Sequence, residues 1–407
     1  MFKKVLSLIL LVSVMVFSVT ACKTETKVPT GDVALTLWTQ EGESDFALQF
    51  VKSLTDAFTA EYPNITFDVV QKDTEVLRED FQTASLAGSA PDLLWTVSDH
   101  AGPFVTAGII QPVDDYFNMK LYVPSVEMNG KTWAVPISSG NHLMLLYNKS
   151  LVPTPPADTD EMIAMAKELT KGDQYGLSYN MTEPFWLVPW LGGFGGAVFA
   201  EDGLTPTLNT DAMVNTLQFL YDLKYVHKVV PASADYDVTD TLFKEGKAAM
   251  IINGDWSLGG YKEVLGDNLG AAALPKVVAT GEYPKPYTSG KYFMLPKDLA
   301  GDKLAAVIKF IEFATNEANQ LKQLETLNRL PGLKSVLSNE AITSDPILAG
   351  SSADMANGVP MPTVVEMRCN WDAMKPEMTS VLADEKSAKD AAAAMQAAAE
   401  ACIMQLE

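Results

Sequence analysis

Between Met181 and Phe199 the chain reads MTEPFWLVPWLGGFGGAVF, which sets one carboxylate, Glu183, beside Phe185, Trp186 and Trp190. Flat aromatic faces beside a hydrogen-bonding carboxylate suit a neutral sugar: the ring stacks, and the hydroxyls are satisfied at its edge. An aromatic cluster buried beneath a loop is the alternative, and this stretch alone leaves both readings open. Gly192, Gly193, Gly195 and Gly196 weigh against a helix, because glycine loses more chain entropy there than other residues. Pro184 and Pro189 weigh against it too, since proline removes a backbone donor. The expectation is a loop, or a short turn with loops.

Two further polar groups end apolar runs. Val33 to Trp38 (VALTLW) reads as a strand buried on both faces, followed by a polar loop containing Gln40, Glu41 and Glu43. Ligands bind at the carboxyl ends of strands in open α/β sheets, so these three residues are candidates; a solvated turn is the alternative. Pro91 to Trp95 (PDLLW) runs into Ser98-Asp99-His100. Asp99 and His100 suit a binding site there, or else a helix cap and a surface residue.

The elements around these groups alternate. Ser44 is placed to cap a helix whose apolar face carries Phe46, Phe50, Leu54 and Phe58, and Ile65 to Val70 returns as a strand. Asn129-Gly130 marks a hairpin, and Leu143 to Leu146 is a further apolar run. Asp158 and Glu161 form a capping box, Asp211 to Tyr225 is an amphipathic helix, and Ser387 with Asp390 opens an alanine-rich helix ending near Leu406. This alternation implies layered α/β structure.

Composition excludes some functions. The 407 residues carry a formal charge of -21, which argues against nucleic-acid binding. His100, His142 and His227 are scattered, and no Cys/His spacing resembles a metal site. No cofactor is expected. G-x-S-x-G, H-E-x-x-H and Walker A patterns are absent; Gly290-Lys291 is followed by Tyr292, and GGFGG fails G-x-G-x-x-G. Lys3 and Lys4, the apolar run Val5 to Val19 and the box Val19-Thr20-Ala21-Cys22 read as a lipoprotein signal, with Cys22 acylated and Lys23 to Thr30 a polar tether. An ordinary cleaved signal is the alternative. Cys369 and Cys402 remain, as one disulfide or two buried thiols.

PDLLW, SDHAGPFVTAGIIQPV, NGKTWAVPI, LLYNKSLVPTPP, EPFW, FKEGKAAMIINGDW and an MP before Trp371 follow one another in order. Together they resemble the extracellular solute-binding proteins of sugar-importing ABC transporters, in the maltose-binding-protein-like group, over nearly the whole mature chain. The resemblance implies an α/β, two-lobed periplasmic-binding-protein fold of type II, with sugar bound between lobes joined by hinge crossings. Pro136–Asn141, Lys285–Gly290 and the region of Ser344-Asp345-Pro346 suit those crossings. The implied lobes are 31–138 with 289–340, and 139–288 with 341–407.

Carried over residue by residue, Glu183, Phe185 and Trp186 match the family's acidic and aromatic sugar contacts. Trp256 and Trp371 match stacking tryptophans, and Asp99 a hydroxyl-binding aspartate. His100 stands where the maltose-binding protein has arginine. Asn141 lies near a contributing glutamate. Thr96 replaces an aromatic that Trp95 beside it can supply, and Arg78 replaces an acidic contact. The implied partners are an oligosaccharide, an ABC permease and a bilayer holding the acylated Cys22, with a monomeric receptor. A glycoside hydrolase is the competing enzyme class, but it needs a preorganised carboxylate pair, and the resemblance puts Asp99 and Glu183 on opposite lobes. An adhesin would instead need an exposed interaction patch.

Overall fold

A computed structural model describes residues 27–43 and 46–406. Cys22, the first half of the tether and the Ser44 cap lie outside the described residues.

The first sheet is built on βα units. Strand β1 (Val33–Thr39) runs parallel to β2 (Ile65–Gln71) and β3 (Leu93–Val97). Helix Ala47–Glu61 links β1 to β2 and buries Phe50, Leu54 and Phe58 against the sheet. Phe46 is not on that helical face; it precedes the helix in a left-handed conformation. Strand β1 also alternates instead of being buried on both faces: Val33, Leu35 and Leu37 are buried, while Ala34 is exposed and Trp38 half-buried.

Short strands β4 (Ile110–Gln111), β5 (Glu127–Met128) and β6 (Lys131–Thr132) follow. Asn129 and Gly130 close the β5–β6 hairpin with φ of 55° and 69°, as its two-residue turn requires. Strand β7 (Val135–Gly140) then leads directly into β8 (Leu143–Asn148), the first strand of a second sheet. That sheet has the order β11-β8-β10-β9, with β9 spanning Tyr175–Tyr179, β10 spanning Ala248–Gly254 and β11 spanning Leu269–Ala272.

Three segments pass between the sheets. The first is the β7–β8 turn. The second is β12 (Tyr287–Pro296), whose Tyr287 lies in the second sheet's core while Phe293 and Leu295 lie in the first's. It pairs successively with β13 (Val359–Pro360), β7, β3 and β4. The third leaves helix Glu317–Leu327 at Asn328 and reaches helix Pro346–Met355, which packs on β11. Asp345 caps that helix through Ile347 and Leu348, so it stops the crossing segment. The backbones pack closely here: a Cβ on Gly290 would stand 2.1 Å from the Ser138 carbonyl oxygen.

Local caps form as the residue types dictate. Asp158 accepts from the Glu161 amide at 2.9 Å, and Glu161 reaches back to Ala157 at 2.9 Å. Ser387 caps helix Ala388–Ile403 through Asp390 at 3.1 Å. The helix begun at Asp211 continues past Tyr221 as a π-turn to Val226.

The GGFGG neighbourhood is more helical than expected. Pro184–Trp186 forms a 3-10 turn and Val188–Gly193 a short helix. Pro189 lies in its first turn, where a missing N–H costs nothing. Gly192 and Gly193 are required by packing, since Cβ atoms there would come within 2.5 Å of Lys285 and 2.7 Å of Val277. Trp190 is fully buried, so it belongs to the core.

Cys369 and Cys402 form a disulfide, with Cα atoms 5.5 Å apart. It ties helix Glu366–Leu382 to helix Ala388–Ile403 across 33 residues of sequence. Closing a loop of that size stabilises by about 3–4 kcal/mol in the chain-entropy account.

Candidate ligand-binding cleft

The carboxyl ends of β1 and β3 face the aromatic side of the second sheet. From the first sheet, the β1 loop brings Gln40 and Glu41, and the turn after β3 brings Asp99 and His100. From the second, the 3-10 turn brings Phe185 and Trp186, the turn after β10 brings Trp256, and helix Glu366–Leu382 brings Trp371. Phe185 lies 5.8 Å from Trp186, 6.1 Å from Trp256 and 6.4 Å from Trp371, centroid to centroid.

This platform is held from behind. The indole N–H of Trp186 donates to the Ile252 carbonyl at 3.0 Å, and that of Trp256 to the Tyr236 hydroxyl at 3.1 Å. Tyr287 packs edge-on to Trp371 at 6.1 Å. Glu183 is half-buried and pairs with Lys375 at 2.6 Å.

Glu41 has another task. Both its oxygens accept from Arg329 at 2.9 Å, and Oε1 also accepts from Trp95 at 3.0 Å. Arg329 then donates to the Trp256 carbonyl at 3.1 Å, which joins the two sides through one guanidinium. Burial pushes the Glu41 carboxyl up, but Arg329, Lys291 and the hydrogen bonds together hold it below its ordinary value.

The two sides are drawn together elsewhere. Arg368 pairs with Glu75 across the cleft and with Asp372 on its own helix. Trp371 and Asp99 stand beside each other, lining the same crevice. This crevice measures only about 10 Å³ and is lined by Glu75, Arg78, Asp99, Arg368 and Trp371. A larger open groove of about 530 Å³ lies near Phe46, Lys262 and Glu325, but none of the expected binding residues lines it.

Some expected residues lie elsewhere. Glu43 is exposed. Trp95 is buried against Phe293 in the first core, because its apolar ring fills the sheet face; it reaches the cleft only through its bond to Glu41. Asn141 sits in the first crossing at φ 45°, with its amide donating to Asp255 at 3.0 Å. His100 is buried, not a surface residue, and bonds Thr96 at 2.8 Å. Lys291, Arg329, Arg368, Lys375, Tyr236 and Tyr287 were not anticipated. A lysine inside the apolar run of β12 was the one sequence signal available for Lys291.

The cleft also perturbs two ionisable groups. Burial, reinforced by Glu75, pushes Asp99 up to about 6. Burial, with Arg78, Arg368 and Lys291 adding to it, pushes His100 down to about 3.

A family model described as bacterial extracellular solute-binding protein matches residues 53–350. The chain belongs to that family. By that membership it is a solute receptor and not an enzyme. The maltotriose-binding protein of Pyrococcus abyssi is 26% identical, over 84% of this chain and 76% of its own. A maltooligosaccharide ABC transporter solute-binding lipoprotein of Streptococcus pneumoniae is 25% identical over 75% of each chain. Among solved structures, the maltose/maltodextrin-binding domain of Bdellovibrio bacteriovorus bound to maltotriose superposes with a TM-score of 0.87. It is 34% identical, and the match covers 91% of this chain and all of that one. The fold is therefore the two-lobed periplasmic-binding-protein fold.

The pH response of Asp99 and His100 has opposite signs. Asp99 binds its proton more tightly folded than unfolded, so it adds stability as pH falls from about 6 towards its unfolded value of about 3.9. His100 stays neutral in the fold but protonates in the unfolded chain, so it costs stability as pH falls below about 6.5. Asp99→Asn removes the first effect alone. Its thermal midpoint should drop further than wild type between about pH 7 and pH 4. An equal drop in both proteins contradicts these environments.

Proposed function

We propose that the chain is an extracytoplasmic receptor that binds a neutral malto-oligosaccharide, or a similar oligosaccharide, and delivers it to an ABC transporter permease. One observation carries the reading: the Phe185–Trp256–Trp371 ring cluster faces Asp99 across the cleft, as a stacked and hydroxyl-bonded sugar requires. The charges around it favour a neutral ligand. Arg78 is engaged by Glu75 and Glu79, Arg368 by Glu75 and Asp372, and Lys375 by Glu183. The relatives named for maltotriose and maltooligosaccharides support the same class.

A crevice of about 10 Å³ is far below the usual size of ligand sites, roughly 300–1,000 Å³. Entry of an oligosaccharide therefore requires the lobes 31–138 with 289–340 and 139–288 with 341–407 to swing apart. Bending at the three crossings allows this without unfolding either lobe. Sugar stacks first on the platform, and closure then brings Gln40, Asp99 and His100 onto its hydroxyls and excludes water.

A thermal-shift screen of linear and branched oligosaccharides tests the reading, since a ligand of the native state raises the unfolding temperature. A malto-oligosaccharide should raise it and be recovered unshortened. Trp256→Ala and Trp371→Ala should each weaken its binding by about 1–3 kcal/mol. Unchanged affinity in both variants contradicts the platform.

The same reading anchors the protein to a membrane through acylated Cys22, in keeping with the lipoprotein named among its relatives. Cys22→Ser should move the protein from the membrane to the soluble fraction. Retention of the variant on membranes in high salt contradicts the anchor.

A further inference from the structure

Lys291 is the most unusual charge in the cleft. It sits in the middle of β12, and only 6% of it is exposed. A lysine ammonium carries three donors and is strongly hydrated in water, so burying it is costly unless acceptors replace that water. Among the described residues it makes one side-chain hydrogen bond, a long one of 3.3 Å to Gln40 Oε1. It also stands 5.6 Å over the Trp256 ring. Glu41 attracts it, but the oxygens of Glu41 are already held by Arg329 and Trp95. Burial accordingly holds the Lys291 ammonium below its ordinary pKa. Beside it, Gln40 Nε2 is buried with no partner among the described residues.

Two underused donors thus lie side by side, one of them over an aromatic ring. Gln40 comes from the β1 loop and Trp256 from the turn after β10, so the group they form with Lys291 draws on both sides of the cleft. A water or a sugar oxygen can fill that role, but only a sugar also covers the Trp256 face. An acceptor oxygen is the group that matches these donors.

We infer that Lys291 is a ligand-contacting, specificity-determining residue: with Gln40 it donates to one oxygen of the sugar unit stacked on Trp256. This rests on the cleft being an oligosaccharide site. It assigns Lys291 a hydroxyl-reading role, not a share in neutralising an anionic ligand. A site built to hydrogen-bond a hydroxyl rejects an analogue lacking it, because its buried donors are then left unpaired.

Calorimetric titration of wild type, Lys291→Met and Lys291→Gln with maltotriose and its monodeoxy analogues tests the inference. Methionine keeps the volume without the donors, and glutamine keeps a donor without the charge. Lys291→Met should bind maltotriose at least about ten-fold more weakly, with Lys291→Gln recovering part of the loss. Wild type should discriminate against one monodeoxy analogue, and Lys291→Met should discriminate clearly less, with Gln40 alone left to read that oxygen; a purely structural role would weaken all ligands alike. Thermal midpoints of the variants, measured alongside, report their folding. If wild type binds maltotriose and Lys291→Met binds it within about two-fold, or keeps the discrimination undiminished, the inference falls and the cleft assignment stands. If wild type binds no neutral oligosaccharide, the cleft assignment falls and takes the inference with it.

Discussion

The buried pair of Glu41 and Arg329 holds the cleft together. Arg329 lies at the start of the third crossing, fixes the β1 loop through two 2.9 Å bonds, and reaches the backbone of Trp256 on the other lobe. Removing one member of such a buried pair costs about 3–5 kcal/mol, because the other charge is left without compensation. The pair is weak evidence for stability as such. Its value lies in geometry, since one planar fork sets the loop, the hinge segment and the stacking residue in register.

In the proposed mechanism, closure and binding use the same residues. Arg368 and Trp371 are on one helix; the first pairs with Glu75 and the second lines a crevice with Asp99, both on the first lobe. The disulfide at Cys369 sits between these two residues in sequence and ties their helix to its neighbour. The disulfide stiffens the part of the second lobe that meets the first, and the proposed bending falls at the crossings. Gly140 permits a sharp turn in the first of them: its φ is 119°, and a Cβ there would stand 2.3 Å from Asp255.

Local features were legible in the sequence. Caps at Asp158 and Ser387, the Asn129-Gly130 turn and the strand ends carrying Gln40 and Asp99 depend on neighbours a few residues away, and they formed where their residue types placed them. The aromatic set of Phe185, Trp186, Trp256 and Trp371 came from a whole-chain resemblance, and the structure gathers it on one side of the cleft. The errors arose where tertiary packing overrides local preference. Glycines at 192 and 193 read as a helix breaker, but they are there because Lys285 and Val277 leave no room for a Cβ. Trp95 and Trp186 look alike in sequence, yet one fills a core and the other backs the platform. The Glu41–Arg329 pair joins residues 288 positions apart, and no local pattern announces such a partner.

Whether the lobes close around an oligosaccharide is the central claim, and a distance across the cleft measures it. Spin labels at Leu86, exposed at the end of a first-lobe helix, and at Glu385, exposed beyond helix Glu366–Leu382, report that separation by pulsed electron resonance. Maltotriose should convert a broad, longer distribution into a single narrow, shorter one. A distribution that is the same with and without saturating maltotriose would contradict closure as the mode of binding.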